Sequence, residues 1–229
     1  MTELPPGCAH GTPADIPRGT KGYGETADVL VRQYESRSFA DVHRGLLPLL
    51  PAAPARALDI GAGTGRDAAA LAALGHTVLA VEPTPEMRAH GQRLHPSRSI
   101  EWLDDSLPEL ARVRARVREG GLERGGRFDL VMMTAVWMHL DEAERTRAME
   151  CVADLVAPGG LMTLSLRHGP VPAGRHMFDV GPAETRALAA HHGLATVYEK
   201  ERPSVFNADG VWWDVLAFRA PTGGKSLSD

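Results

Sequence analysis

The chain has 229 residues, of which 43% are hydrophobic and 24% charged, and its formal net charge is -4. This length suits one domain with a full hydrophobic core, and the charge excludes a global attraction to nucleic acid. No apolar run approaches the roughly 18 residues of a membrane span, and the amino terminus lacks the pattern of a secretory signal. Two cysteines, Cys8 and Cys151, do not suggest a disulfide framework, so we expect a cytoplasmic protein.

Both ends of the chain are expected to be flexible. Residues 1–24 contain several prolines and glycines and few apolar residues, which predicts an N-terminal arm, and residues 221–229 predict a tail in the same way. Residues 25–220 form the predicted domain. Its first part, residues 25–50, has apolar side chains at helical spacing in two segments, 25–37 and 39–47. Two short helices before the first strand can cap a pocket.

From residue 56 onward, strand-like apolar runs alternate with helical segments, which predicts a parallel sheet covered on both faces. The predicted strands are residues 57–60, 77–81, 100–103, 128–134 and 161–166. The predicted helices between them are residues 66–74, 85–94, 107–118 and 141–156. Gly75 is expected to end the first of these helices, and the sequence Pro158-Gly159-Gly160 is expected to break the last.

The pattern changes after the fifth strand. A predicted helix over residues 182–192 leads to two strands, 195–200 and 211–218, which must pair antiparallel because no helix separates them. The predicted fold is a doubly wound α/β domain, with helices on both faces of a mostly parallel seven-stranded sheet whose last strand is antiparallel. Trp212 and Trp213 should point to opposite faces of this strand, one ring toward the core.

The most specific signal is the sequence LDIGAGTGRD at residues 58–67, where an apolar strand runs into a glycine turn and then a helix. Glycine permits positive φ and lets a nucleoside approach the main chain. Glu82 ends the next predicted strand, where an acid can accept both hydroxyls of a ribose. The spacing is G-x-G-x-G, and Arg66 stands where the dinucleotide fingerprint G-x-G-x-x-G has its third glycine. A dinucleotide therefore fits poorly.

Together with Glu82-Pro83, this segment resembles the first two motifs of the class I S-adenosylmethionine-dependent methyltransferases, and the resemblance extends to about the end of the chain. It implies S-adenosyl-L-methionine as cofactor and a small-molecule acceptor methylated on an O, N or C atom. Residues 102–108 resemble the family's third motif, in which Asp105 aligns with an acid that binds the adenine amino group. The alternative is that Asp104 and Asp105 cap the following helix.

The resemblance also implies that residues 134–140 line the methionine end of the cofactor and the wall facing the acceptor. Asp59 either binds the cofactor's ammonium group or orders the glycine turn, and Tyr34 either closes over the methionyl carboxylate or belongs to the core. The residues assigned to the cofactor are Tyr34, Asp59, Gly61, Ala62, Gly63, Thr64, Gly65, Asp67, Glu82, Pro83, Met87, Leu103, Asp105, Ser106, Thr134, Ala135, Val136 and His139.

Methyl transfer from a sulfonium requires alignment and exclusion of water, and it requires a base only when the nucleophile holds its proton. His139, His168 and His176 are the candidate bases, although the ring of His139 can alternatively cap a local backbone group. Residues 167–181 concentrate cations and prolines at the carboxyl end of the fifth strand. Arg167 and Arg175 are therefore candidates to bind a carboxylate or phosphate of the acceptor, the alternative being a solvated loop.

Other kinds of partner are disfavoured. The arginines of residues 112–118 lie opposite an apolar helical stripe, and the motifs of nucleic-acid base methyltransferases are absent, so neither nucleic acid nor a membrane is expected as a partner. No motif with metal-ligand spacing appears, so no metal is expected. The chain is expected to be a monomer or a homodimer. Two alternative functions stay open: an NAD(P)-dependent oxidoreductase, and a non-catalytic cofactor-binding member of the same fold.

Overall fold

The structure, a computed structural model, describes residues 18–119 and 126–223, so most of the predicted arm and tail lies outside the described residues. The helices are α1 (Ala27–Glu35), α2 (Phe39–His43), α3 (Arg66–Ala73), α4 (Pro85–Leu94), α5 (Ala111–Arg118), α6 (Glu142–Leu155) and α7 (Pro182–His191). The strands are β1 (Arg56–Ile60), β2 (Thr77–Val81), β3 (Ile100–Leu103), β4 (Phe128–Met133), β5 (Val156–His168), β6 (Ala195–Pro203) and β7 (Trp212–Arg219).

The strands form one seven-stranded sheet in the order β3-β2-β1-β4-β5-β7-β6. Strands β1 to β5 pair in parallel, and β7 runs antiparallel to both of its neighbours, β5 and β6. The predicted doubly wound fold is confirmed. The strand order reverses between β1 and β4, and ligands of open α/β sheets bind outside the carboxyl ends of the strands at such a point.

Helices cover both faces of the sheet, which explains why the central strands are almost continuously apolar. Leu58 and Leu216 belong to a core cluster that includes side chains of α5, α6 and α7. Ala57 and Val215, each one residue away on the same strands, belong to the cluster on the opposite face, with side chains of α2 and α3. None of the described helices has the length and apolar character needed to cross a membrane.

The helix predicted over residues 107–118 begins only at Ala111. The chain before it forms a turn in which Leu110 has a φ of 45°, a left-handed conformation that a helix cannot contain. This turn contains Pro108, which lacks an N–H to donate.

Strand β5 is longer than the predicted segment 161–166, because α6 ends at Leu155 and the chain enters the strand at the next residue. The glycines expected to break the helix lie inside the strand. The N–H of Gly159 donates to the carbonyl of Pro221, and the carbonyl of Gly160 accepts from Ala220. Pairing with distant residues thus decides the conformation of this segment.

Candidate functional site

A cavity of about 710 Å³ opens at the carboxyl ends of the parallel strands, within the usual range of about 300–1,000 Å³ for ligand pockets. One side, which we call the glycine-turn side, consists of residues 59–67 and 82–87 with the loops after β3 and β4. The opposite side, the arginine side, lies on β5, β6 and β7 and includes Arg167, Arg202 and Trp213. Residues 18–34 contribute lining to both sides.

Two glycines of the turn serve different purposes: one faces open cavity space, and the other lies against a neighbouring side chain. At Gly63, where φ is 56°, the nearest atom to an added Cβ would be Cε of Met87 at 3.7 Å, so a side chain would enter open cavity space. At Gly65, where φ is 81°, an added Cβ would lie 2.8 Å from the ring of Trp102. Gly63 therefore leaves room for a ligand, and Gly65 lets α3 begin against Trp102.

Glu82 binds the same turn from the end of β2. Its Oε2 accepts a hydrogen bond from the N–H of Gly63 at 2.8 Å, and its Oε1 accepts one from the N–H of Thr84 at 2.8 Å. Burial raises the pKa of Glu82, and the amides of Thr84 and Gly63 offset this only in part. Each carboxylate oxygen has two lone pairs, so each can accept one further hydrogen bond from a ligand in the cavity.

Asp59 is the acid of the glycine-turn side that has one oxygen without a partner in the described part of the chain. Its side chain lines the cavity at 1% exposure, and its Oδ2 has no hydrogen-bond partner within the described ranges. Burial, and next the neighbouring charge of Asp67, raise the pKa of Asp59 well above its usual value. A buried acceptor without a donor costs about 1–3 kcal/mol, so a ligand group that donates a hydrogen bond and carries positive charge fits here.

Asp67 also lines the cavity, but protein groups occupy both of its carboxylate oxygens. Oδ2 lies 2.7 Å from Nε2 of His43 and accepts from the hydroxyl of Thr134 at 3.0 Å, while Oδ1 accepts from Nε of Arg66 at 2.7 Å. Burial alone would raise the pKa of Asp67, but His43 and Arg66 together hold this pKa well below its usual value. Asp67 therefore joins α2, α3 and the loop after β4 and orders the wall of the cavity.

Asp105 caps α5, which is the alternative that the sequence left open. Its Oδ2 accepts from the backbone N–H groups of Arg112 at 2.8 Å and Val113 at 2.9 Å, and its Oδ1 accepts from Ser106 at 2.9 Å. Asp105 and Ser106 still line the cavity. The carboxylate thus holds the helix and faces the ligand space, and its predicted contact with an adenine stays a prediction.

Most residues that the sequence assigned to the cofactor line the cavity. These are Tyr34, Asp59, Gly61, Ala62, Gly63, Thr64, Asp67, Glu82, Pro83, Met87, Asp105, Ser106, Thr134, Ala135, Val136 and His139. The lining does not include Gly65, which lies against Trp102, or Leu103, which packs on the core cluster that contains Leu58.

His139 is a buried, neutral ring at the junction of the two sides. Its Nδ1 lies 2.7 Å from the carbonyl oxygen of His176, and its Nε2 lies 3.0 Å from the hydroxyl of Tyr23. Since a carbonyl only accepts, Nδ1 carries the proton and Nε2 accepts from the Tyr23 hydroxyl. Burial lowers the pKa of His139, so the ring is neutral at neutral pH and the lone pair of Nε2 is directed at the Tyr23 hydroxyl.

The structure does not bring the other two candidate bases to the cavity. His168 lies between the carboxylates of Asp179, 3.1 Å from Nδ1, and Asp214, 2.9 Å from Nε2. Alternation along β5 places His168 on the face opposite Arg167, which explains this position. His176 contributes only its carbonyl, and its ring packs edge-on against Phe178. Among the residues described, no cluster of three or more His, Cys, Asp or Glu side chains is suited to a metal ion.

Sequence reasoning missed Tyr23, because it assigned residues 18–24 to the flexible arm. The structure places this segment against the cavity, and Arg175 fixes it there. The guanidinium of Arg175 lies 3.7 Å from the centre of the Tyr23 ring and donates to the hydroxyl of Thr26 at 2.8 Å and the carbonyl of Lys21 at 3.2 Å. We call this set of contacts the Arg175 clasp. The aromatic side chain inside a glycine-rich stretch was the available signal.

The arginine side carries two guanidinium groups without acidic partners. Arg167 on β5 and Arg202 on β6 form no ion pair with a carboxylate of the described chain; the ionisable neighbours that influence their pKa values are tyrosines and Arg66. Burial lowers the pKa of both groups. Trp213 lies between them on β7, while Trp212 points to the other face and is 41% exposed. The predicted alternation holds, but the inward ring of Trp213 faces the cavity instead of the core.

Comparison with known proteins agrees with this geometry. A family model described as a methyltransferase domain matches residues 31–213. An uncharacterized methyltransferase of Mycobacterium bovis is 34% identical over 116 residues, which cover 51% of this chain and 41% of that protein. A ubiquinone biosynthesis O-methyltransferase of Xanthomonas axonopodis pv. citri is 29% identical over 167 residues, 63% of this chain and 64% of that protein. The match therefore spans less than half of the mycobacterial relative.

Solved structures share the fold at low sequence identity. The 1,6-didemethyltoxoflavin-N1-methyltransferase of Burkholderia thailandensis, solved with its acceptor and S-adenosylhomocysteine, has a TM-score of 0.56 at 22% identity and covers 93% of each chain. A TehB-like methyltransferase of Corynebacterium glutamicum has a TM-score of 0.60 at 19% identity, over 85% of this chain and 97% of that one. The family match, the sheet order and the glycine turn agree: the chain belongs to the methyltransferase-domain family of class I S-adenosylmethionine-dependent methyltransferases.

Proposed function

We propose that this chain transfers a methyl group from S-adenosylmethionine to an oxygen or nitrogen atom of a small anionic molecule. The observation that carries the proposal is a single cavity, which reaches from Asp59 and Glu82 on the glycine-turn side, past His139, to Arg167 on the arginine side. A methyl donor and an acceptor can therefore meet beside a neutral histidine. Membership of the family supports the reaction type.

The glycine-turn side fits the cofactor at three points. The unpartnered Oδ2 of Asp59 matches the ammonium group of the methionine moiety, and the open space at Gly63 matches a nucleoside lying against the turn. The spare lone pairs of Glu82 match the ribose hydroxyls. When bound, the cofactor supplies an electrophilic methyl group whose leaving group departs neutral.

The chain itself contributes alignment and exclusion of water. Residues 18–34 cover part of the cavity, and the Arg175 clasp holds this segment against the loop that follows β5. Holding two reactants in an attack geometry supplies about 7–11 kcal/mol of a barrier in well-aligned systems, without any acid or base. Positioning is therefore the main role of the residues that line the cavity.

His139 is the proposed base for an acceptor that still holds its proton. The carbonyl of His176 fixes the proton on Nδ1, so the lone pair of Nε2 points to the Tyr23 hydroxyl. An acceptor hydroxyl or amine that takes the place of Tyr23 at Nε2 gives its proton to this nitrogen. Because burial lowers the pKa of His139, the ring stays ready to accept a proton at neutral pH.

The test combines a binding measurement with a turnover measurement on the full chain. Calorimetry should show binding of S-adenosylmethionine and loss of that binding in Glu82→Ala. A panel of hydroxylated and aminated aromatic acids should then include at least one that releases S-adenosylhomocysteine, and His139→Gln should slow that release. If the cofactor binds but no acceptor is methylated, the non-catalytic alternative is favoured; if the cofactor does not bind, the proposed function is wrong.

A further inference from the structure

We propose that Arg167, Trp213 and Arg202 form a binding site for the carboxylate and the ring of a planar aromatic acid. The indole of Trp213 packs on the aromatic ring, and the guanidinium groups of Arg167 and Arg202 bind the carboxylate from either edge. This inference rests on the proposed function, because it names the class of acceptor that the same cavity takes. Only the structure shows that Arg202 and Trp213 line the cavity; sequence reasoning had assigned neither residue to a binding site.

Strand register places the three side chains in one row. Arg167 of β5 pairs with Trp213 of β7, and Trp213 pairs with Arg202 of β6. Residues that oppose each other on neighbouring strands point to the same face of the sheet. Since neighbouring strands lie about 4.8 Å apart, the backbones that carry the two arginines are roughly 10 Å apart, with the indole between them. The row thus presents the indole and two cations on one face of the sheet, with the guanidinium of Arg202 over the indole ring.

The charges of this row favour an anionic ligand. Nε of Arg202 is buried without a hydrogen-bond acceptor in the described part of the chain, and its NH1 reaches only the carbonyl of Pro203 at 3.4 Å. Arg66 lines the same cavity, and a carboxylate oxygen of Asp67 lies 2.7 Å from it. The two cations of the arginine side are thus partly shielded from water, and no carboxylate of the described chain compensates them. A carboxylate compensates such a guanidinium by two parallel charge-assisted hydrogen bonds.

The indole favours a flat ring over an aliphatic chain. Trp213 is half-buried and lines the cavity, and the guanidinium carbon of Arg202 lies 6.0 Å from its ring centre. Phe206 and Val211 continue the apolar wall beside it. Stacked aromatic pairs gain attraction beyond the area that they bury, whereas an aliphatic acid would gain only the buried area. A planar aromatic acid can therefore stack on the indole and pair with the guanidinium groups at the same time.

Calorimetry on the full chain saturated with S-adenosylhomocysteine tests the site without any turnover. The probes are 4-hydroxybenzoate, its neutral counterpart 4-hydroxybenzamide, and cyclohexanecarboxylate, an acid that is not planar. We expect 4-hydroxybenzoate to bind at least about tenfold more tightly than either of the others, the difference that one charge-assisted hydrogen bond or one stacked ring produces.

Variants separate the two parts of the site. Arg202→Gln and Arg167→Gln should each reduce the preference for the acid over the amide, and Arg202→Lys should keep more of that preference than Arg202→Gln because it keeps the charge. Trp213→Leu should remove the preference for the planar acid and keep the preference for charge. Arg186→Gln is the matched control, because Arg186 pairs with Glu199 on the surface, outside the cavity lining.

The proposal is overturned if the acid and the amide bind equally, if no acid binds to the folded protein, or if Arg202→Gln binds the acid as tightly as the wild type. Phenyl phosphate binding at least about tenfold more tightly than 4-hydroxybenzoate would also overturn the assignment of a carboxylate. Thermal melting of each variant shows whether it is folded. Binding of the acid without methyl transfer would support this site and count against the proposed function, so the two failures are distinguishable.

Discussion

The glycine-turn side and the arginine side of the cavity carry opposite charges and arise from different levels of structure. The first holds the buried acids Asp59, Asp67 and Glu82, of which two are bonded to protein groups and one keeps an oxygen free. The second holds Arg167 and Arg202, neither of which pairs with an acid among residues 18–119 and 126–223. The residues of the first side lie at the ends of neighbouring strands. The residues of the second side are brought together by the register of β5, β7 and β6. A local motif thus identifies the glycine-turn side, whereas the arginine side requires the folded sheet.

The largest expected effect is on the glycine-turn side. Glu82→Ala removes the carboxylate for which we propose two charge-assisted hydrogen bonds to ribose, worth about 1.5–3 kcal/mol each, so we expect the affinity for S-adenosylmethionine to fall about 1,000-fold in calorimetry. Asp104→Ala is the control, because Asp104 is exposed and pairs with Arg88 at 3.3 Å. It should change the affinity less than about twofold. Unaltered affinity in Glu82→Ala would contradict the assignment of Glu82.

His139 lies where the two sides meet, and its substitution should separate chemistry from binding. His139→Gln should lower kcat at least about 100-fold, the usual contribution of a general base, and leave the affinity for the cofactor within about threefold. The wild-type rate should persist below pH 6.5, because burial lowers the pKa of His139 and the neutral form is present above that pKa. A rate that already falls as the pH drops through 7 would argue against His139 as the base.

Substitution of Asp59 should show how much stability the protein loses by burying a carboxylate oxygen that has no hydrogen-bond partner. Asp59→Asn should weaken cofactor binding about tenfold and stabilise the ligand-free protein by about 1–3 kcal/mol at pH 8. The sign follows from the raised pKa: the wild type loses stability as pH rises from the unfolded pKa through the higher folded pKa, and the amide does not. Denaturant unfolding at pH 5 and pH 8 measures this, and the stability gain must be larger at pH 8.

The smallest effect is expected at the Arg175 clasp. Arg175→Ala removes a cation-π contact and the hydrogen bonds to Thr26 and Lys21, and we expect a loss of about 1 kcal/mol to reach acceptor binding, so the KM for the acceptor should rise about fivefold. The affinity for the cofactor should stay the same. Lys21→Ala is the control, because only the backbone carbonyl of Lys21 takes part in the clasp. An unchanged KM in Arg175→Ala would show that the Arg175 clasp does not contribute to binding of the acceptor.

The sequence predicted what depends on neighbouring residues. Alternating apolar runs predicted the strands. The glycine spacing together with Glu82 marked the glycine-turn side, because the glycines and Glu82 lie within about 25 residues of each other. Tyr23 was missed because its hydrogen bond to His139 joins residues 116 positions apart. Arg202 was missed because β6 runs to Pro203, past the predicted strand 195–200, and pairing with Trp213 of β7 brings Arg202 into the sheet. The site residues that escaped prediction all depend on long-range pairing.

Tyr23 lies at the junction of the two sides, since its hydroxyl meets Nε2 of His139 and its ring lies under the guanidinium of Arg175 in the loop after β5. A ligand that orders this segment from one side lowers the entropy that a second ligand must lose on the other. Thermodynamic reciprocity then applies: the factor by which a bound cofactor raises the affinity for the acceptor is also the factor by which the acceptor raises the affinity for the cofactor. A tightly held acceptor would thus delay release of the spent cofactor.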